Sequence, residues 1–451
     1  MKIGGGILRD KSCFERVVSV IKKKQAEKKK VIAVLSALYG VTDFLINSIP
    51  VCVKEEDSIT KTLSKLKEMH LNYLKDIESE EVRKQAEFSL NEKISVLERF
   101  LYGIHYLKEI SPRSKDLVQS FGERLSPIVL EAFLKDNGID AEFIDAEEAG
   151  ILCKGPFENA VVELNKTSVN LKKKTILLEK KVLLLPGYYG IDENNDVKTF
   201  GRGGTDYSAG FIANIFDAKL EIWKDVSGFM TADPKVVETA KQIDFLNYTE
   251  AEELGYLGAK ILHPKTIKPL REKSLFAEIK NLFEPEKKGT IVGEAKIKSA
   301  EIVKSIAVTK DIAIISFSSV EMVNSSGFAA WLFSKLAEGK ISIDLISTSE
   351  TTISFSVSAK DLDRALLLVN ELKKETECNI SFKKDLSLIG VVGEGMRETT
   401  GISGRLFSAL GNNKINIELI SQGASEINIS LVVKKPDLEK AIKLIHEEFI
   451  G

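Results

Sequence analysis

The sequence predicts an α/β domain on a mainly parallel sheet over residues 1–298, followed by a duplicated α+β region. Three observations predict this. Short apolar runs rich in Val, Ile and Leu stand at Val31–Ser36, Ala141–Ile144 and Val182–Leu185, the pattern of strands buried on both faces. Helical periodicity alternates with them, over Cys13–Lys30 and again over Ser58–Ile110. Near the C-terminus the segment Gly327–Ser347 aligns without gaps on Gly401–Ser421, with about half the positions identical at an offset of roughly 74 residues, which is the mark of an internal repeat.

Taken in chain order, the glycine-rich segment Lys2–Gly6 opens the chain, and Cys13–Lys30 follows as a helix ending in a lysine run on a solvated face. The long, charged, Gly- and Pro-poor stretch at about 58–115 reads as a helical insertion on the α/β core. Pro285–Thr290 is rich in turn residues and ends the first domain. Each repeat then reads strand, helix, strand, strand, helix. In the first copy the strands are Ile312–Phe317, Ile341–Ser347 and Thr352–Val357, with helices from Gly327 and over Lys360–Lys373.

Composition narrows the function classes. A hydrophobic content of 43% and a charged content of 29% describe a globular chain, and a net charge of −2 gives no basic surface for nucleic acid. No apolar run reaches about 18 residues and no leader pattern is present, so the expectation is a cytoplasmic protein without a membrane partner. Cys13, Cys52, Cys153 and Cys378 are scattered, as are His70, His105, His263 and His446. Free thiols and no protein-ligated metal are expected.

The chemistry concentrates in a few segments. Phe200–Ser208 (FGRGGTDYS) puts Arg202, Asp206 and three glycines together. Glycines let a backbone approach a ligand and offer bare N–H groups to anions. An arginine can clamp a carboxylate with two parallel hydrogen bonds, and an aspartate can hold an ammonium group. Such a loop suits a small zwitterion beside a phosphate. Lys2–Gly6 (KIGGG), Val34–Thr42 (VLSALYGVT), Ser120–Ser126 (SFGERLS), Ile222–Lys235 and Leu257–Pro264 (LGAKILHP) share its character. The bland alternatives are an ordinary glycine turn, strand-end capping by Ser36 and Thr42, a surface Glu123–Arg124 pair and a helix-terminal Lys260.

In this order and spacing, and together with ISQGASEINIS at the C-terminus, these motifs resemble the aspartate kinases, specifically the monofunctional, lysine-sensitive type of the amino-acid kinase superfamily. The resemblance runs through the whole chain. It implies the amino-acid kinase fold, a three-layer αβα sandwich over residues 1–298, followed by two ferredoxin-like ACT domains. The first ACT domain is 311–384, inserted into a second made of 299–310 and 385–451. It implies transfer of the γ-phosphate of ATP to the β-carboxylate of L-aspartate, with Mg²⁺ held mainly through phosphates and water.

The resemblance also implies roles. Lys2 and Asp206 are catalytic, Lys2 on the transferring phosphoryl group and Asp206 either binding the α-ammonium or orienting Lys2. Ser36, Thr42, Glu123, Arg202, Gly203 and Gly204 bind substrate, with Glu123 on the α-ammonium and Arg202 on the α-carboxylate. Lys2, Gly4, Gly5, Gly6, Lys224, Asp225, Met230, Lys235 and Lys260 face ATP. L-Lysine is the implied effector, at Met322, Ser325, Gly327, Phe328, Asp344, Thr348, Ser349 and Glu350, with threonine as the runner-up. A homodimer or homotetramer through the ACT domains is implied. The chain departs from the family at Gly6 and Ile7, where hydroxyl residues are usual, and at Lys224, Ser227, Met230 and Lys235. The apolar strand usual before this lysine is missing, because only Met1 precedes Lys2, so the expectation is either a start lying further upstream or a Lys2 held less firmly than in relatives. Two alternatives remain at this point: another amino-acid kinase, and a catalytically weak lysine-binding regulatory protein.

Overall fold

Strands made of continuous apolar residues need cover on both faces, and the first part of the chain supplies it. The computed structural model describes residues 1–179, 181–258, 261–294, 301–323, 326–374, 376–423 and 425–451. The chain forms two units. The first comprises Met1–Gly228, Asp244–Tyr248 and Ile261–Glu294, and the second Phe229–Ile243, Thr249–Lys260 and Ala295–Gly451.

The first unit holds an eight-stranded sheet in the order Phe245–Asn247, Thr290–Gly293, Ala277–Asn281, Leu220–Lys224, Lys2–Ile3, Ile32–Leu35, Val182–Pro186 and Ala141–Phe143. Every neighbouring pair is parallel except Ala277–Asn281 with Thr290–Gly293. Alternation along each strand divides the core. Ile3, Ala33, Leu35, Val182 and Leu184 share one hydrophobic cluster with Phe14 and Val17 of helix Lys11–Ala26 and Leu125 and Val129 of helix Pro112–Asp136. Val34, Leu183 and Leu185 are equally buried and point to the other face. Helix Gly204–Phe216 packs against the strands Lys2–Ile3, Ile32–Leu35 and Leu220–Lys224. The result is the three-layer sandwich. In the stretch expected to be helical lie Asp57–Leu74 and Glu80–Leu107, the latter capped by the Ser79 side chain on Val82 N–H.

One expectation is corrected. Lys2 is not loosely held. It pairs in parallel with Val34 on one side and Ile222 on the other, in the middle of the sheet. The Met1 ammonium donates to the Ile32 carbonyl at 2.6 Å, and Val34 N–H donates to the Met1 carbonyl at 2.9 Å. Two flanking strands supply the order that a longer preceding strand was expected to give.

The second unit carries a six-stranded antiparallel sheet in the order Ile346–Thr348, Thr352–Ser358, Ser305–Ser318, Asn379–Val392, Asn428–Lys434 and Leu419–Gln422. Ser305–Thr309 pairs with Leu388–Val392, and Ile314–Ser318 with Asn379–Lys383. Register shifts separate the two halves. The sequence repeat is written into the backbone. Asp311 and Asp385, Gly327 and Gly401, and Lys340 and Lys414 all have positive φ, and each pair is separated by the offset of the sequence repeat. Gly327 and Gly401 cap the equivalent helices Phe328–Glu338 and Ile402–Asn412. The strand expected at Ile341–Ser347 is shorter, only Ile346–Thr348. The buried Ser356 hydroxyl accepts from Leu345 N–H at 2.9 Å, so a side chain takes a bond the ladder would have used.

Candidate active site

The motif residues converge at the C-terminal ends of the parallel strands, where ligands of open α/β sheets bind. Gly4–Gly6 follow strand Lys2–Ile3, Ser36 follows Ile32–Leu35, Gly187 follows Val182–Pro186, and Lys224 ends Leu220–Lys224. A cleft of about 400 Å³ opens there, lined among others by Lys2, Gly5, Ser36, Thr42, Glu123 and Asp206. Gly6, Gly203 and Gly204 also line it.

Lys2 and Asp206 form its charged floor. The Lys2 ammonium lies 2.8 Å from Asp206 Oδ1, both side chains being buried. Oδ1 has no well-aligned hydrogen-bond donor among the described residues, so the contact is an ion pair. Lys224 Nζ stands 3.8 Å from Oδ2. Burial alone would raise the Asp206 pKa, but Lys2 and Lys224 outweigh it and hold the carboxyl below its ordinary value. Burial, in turn, lowers the pKa of Lys224.

Glu123 is the other buried carboxylate. Helix Pro112–Asp136 begins at a capping box between Ser111 and Ser114 and delivers Glu123 into the cleft on its buried face. Thr205 Oγ1 donates to Glu123 Oε1 at 2.7 Å. Oε2 is buried and has no hydrogen-bond partner among the described residues. Burial pushes the carboxyl up to about 8, against the Thr205 hydrogen bond, the Lys2 charge and the Ala37 amide, with Asp206 adding to the rise.

The turns around the floor need glycine at specific points. Gly203 has φ 74°, and a side chain there would meet the His263 ring at 2.1 Å. Gly5 packs so closely that a Cβ would sit 3.0 Å from the Ala37 carbonyl. Gly4, Gly5 and Gly6 do not offer equal amides. Gly4 N–H donates to the Trp223 carbonyl at 3.2 Å, so the expectation of a phosphate-facing amide at Gly4 is corrected. The 3₁₀ turn Gly5–Ile7 leaves Gly5 and Gly6 at its start, where no preceding turn supplies acceptors. Thr42 sits in the first turn of helix Val41–Lys54, capped by left-handed Gly40. Asp225 is exposed, and a side chain at Gly6 would approach its carboxylate at 3.5 Å.

Other expected positions fall elsewhere. Arg202 is exposed, between two left-handed glycines. Met230 and Lys235 belong to the second unit, where Met230 bridges Gln242 and Lys235 is exposed. Lys260 and Ser325 lie outside the described residues. Of the effector set, Met322 closes the turn Val320–Met322, Gly327 caps a helix, and Phe328 packs on Phe317 at 5.5 Å and Trp331 at 5.1 Å. Asp344, Thr348, Ser349 and Glu350 are exposed on or beside the edge strand Ile346–Thr348.

Sequence reasoning missed Thr205 and Tyr188. Tyr188 lines the cleft at φ 72°, its N–H on Ser208 Oγ at 3.1 Å and its hydroxyl on Gln119 at 2.7 Å. The Pro186–Gly187 turn signature before it was its only sequence signal. Thr205 lay inside a recognised motif, but its partner stands 82 residues away.

Fold and cleft define a protein that handles a small charged substrate beside a phosphate donor, and comparison agrees. Residues 1–281 match the amino acid kinase family, and residues 315–372 and 389–449 match the ACT domain. The chain belongs to the amino acid kinase family, and within it to the aspartokinases. It is 31% identical to the aspartokinase of Candida albicans over 97% of this chain and 87% of that one. It is 32% identical to aspartokinase 3, chloroplastic, of Arabidopsis thaliana over 100% of this chain and 81% of that one. The crystal structure of Clostridium acetobutylicum aspartate kinase superposes with a TM-score of 0.78 at 29% identity, covering 99% of each chain.

Proposed function

We propose that this chain transfers the γ-phosphate of ATP to the β-carboxylate of L-aspartate, giving 4-phospho-L-aspartate and ADP. In the aspartokinase family this step opens the route to lysine, threonine and methionine. The observation that carries the reading is the unpartnered Glu123 Oε2, a buried carboxylate oxygen in the same cleft as the Lys2–Asp206 pair. An unsatisfied buried acceptor is costly, and an α-ammonium group satisfies it.

The substrate carboxylate, with a pKa near 3.9, is already ionised at neutral pH, so the reaction needs no general base. One carboxylate oxygen forms a bond to the γ-phosphorus while the bond to the β–γ bridging oxygen breaks, and no proton moves. The problem is charge and alignment. Lys2, aimed by Asp206, neutralises the transferring group. The Gly5 and Gly6 amides and Lys224 serve the phosphates. Ser36, Thr42 and the start of helix Val41–Lys54 take the β-carboxylate. Glu123 takes the ammonium, and Arg202 swings from its exposed turn onto the α-carboxylate, with Gly203 and Gly204 giving it room. Asp225, exposed beside Gly6, is an oxygen donor of the kind Mg²⁺ takes through water. The nucleotide roles of Met230, Lys235 and Lys260 rest on the resemblance alone.

In the same reading L-lysine binds the first ACT domain, its α-carboxylate at Met322–Phe328 and its ammonium groups at Asp344 and Glu350, with Ser325, Thr348 and Ser349 nearby. The second copy has Gln422, Gly423 and Ala424 where the first has Thr348, Ser349 and Glu350, so lysine recognition belongs to the first copy. Pairing through ACT domains as a homodimer or homotetramer, and a cytoplasmic location, complete the proposal. The test is ADP release with L-aspartate, Mg²⁺ and ATP, with hydroxylamine trapping the acyl phosphate as a hydroxamate. A folded preparation that forms none above a no-enzyme control favours the lysine-binding regulatory alternative, and turnover of glutamate in place of aspartate favours another amino-acid kinase.

A further inference from the structure

Arg202 occupies an exposed turn, yet the backbone that carries it is built with little slack. Asp116 is fully buried, two helical turns before Glu123 on helix Pro112–Asp136 and about 10.5 Å along its axis. Its Oδ2 accepts from Glu158 N–H at 2.8 Å and Thr199 N–H at 2.9 Å, and its Oδ1 accepts from Thr199 Oγ1 at 2.7 Å. Thr199 and Glu158 are the two segments that template the turn. Thr199 precedes Phe200 and Gly201, and its carbonyl accepts from Ala160 N–H at 2.9 Å. Gly201 has φ 72°, and a side chain there would strike the Glu158 carbonyl at 2.5 Å. Lys265 donates to the Phe200 carbonyl at 2.8 Å and also to Asn159.

We infer that Asp116 is a positioning residue for substrate selection: it ties the turn bearing Arg202 to the helix bearing Glu123, and so sets the distance between the groups that read the two α-substituents of the substrate. The inference rests on the substrate roles proposed for Arg202 and Glu123. One rigid helix then holds both ends of the recognition. Glu123 is its direct contact, and Asp116 acts through Thr199 and Glu158. A misplacement of about 1 Å in such a pair is enough to cost substantial activity.

The experiment compares L-aspartate with its α-amide, which lacks the charge Arg202 reads. In Asp116→Ala the aspartate KM should rise roughly tenfold, kcat and the ATP KM should hold within about twofold, and preference for aspartate over the α-amide should fall roughly tenfold. Asp116→Asn should restore most of this, because its amide oxygen can accept both backbone N–H groups and its NH₂ can donate to Thr199. Thr199→Val, which removes only the hydroxyl bond, should move KM and preference the same way by a few-fold, and it serves as the test should Asp116→Ala fail to fold. Arg202→Ala is the reference for full loss of preference. If Arg202→Ala loses preference while folded Asp116→Ala and Thr199→Val keep it, the positioning inference is overturned and the reading of Arg202 stands. If Arg202→Ala keeps the preference, the reading of Arg202 fails and the inference falls with it.

Discussion

On the proposed role of Glu123 as acceptor of the α-ammonium, aspartate binding is a proton-linked event. In the free chain, burial holds its carboxyl up at about 8, opposed by Thr205, Lys2 and the Ala37 amide and reinforced by Asp206. Binding the α-ammonium stabilises the ionised form. Only the ionised fraction is competent, roughly 1% at pH 6 and one half at pH 8, so the aspartate KM should fall about 50-fold across that range and then level off. At pH 7 binding should release about 0.9 proton, which calorimetry in buffers of different ionisation enthalpy measures directly. The same group makes the free chain less stable as pH rises from the ordinary carboxylate range to about 8, because the folded state favours the protonated form; aspartate should offset that loss in a thermal melt. Glu123→Gln should bind aspartate weakly at every pH and lose the dependence. An aspartate KM that is flat from pH 6 to 8 in the wild type, or a Glu123→Gln variant that keeps the slope, would refute the assignment of Glu123 to the ammonium group.

Lys2→Ala should lower kcat by roughly a hundredfold or more with a smaller change in KM, since it removes charge stabilisation made in the transition state; steady-state kinetics check the split. Gly203→Ala forces alanine into a left-handed conformation costing about 1–2 kcal/mol and displaces the His263 ring, so a lower Tm and a raised aspartate KM are expected. Millimolar lysine should inhibit turnover by roughly 5–150-fold in rate or affinity, and Asp344→Ala should remove that sensitivity while leaving uninhibited turnover intact. Inhibition by threonine and not lysine would reassign the effector.

Much of this was legible because it is local. The apolar runs at Val31–Ser36 and Val182–Leu185 need no knowledge of their partners to read as buried strands. The repeat predicts equivalent backbone turns because the same short segment meets the same steric limits, as Gly327 and Gly401 do. Glycines, an arginine and an aspartate in one loop announce a charged ligand on their own. The tertiary structure decided what depends on distant segments meeting. Lys2 is ordered by strands that begin far along the chain, which no count of preceding residues could reveal. The Gly4 amide is spent on the Trp223 carbonyl, which the glycine run by itself did not reveal. Thr205 satisfies one oxygen of Glu123 and leaves the other open. Sequence names the charged groups because composition is carried residue by residue; only the fold sets how buried they are and which partner they lack, because burial and pairing belong to the packed whole.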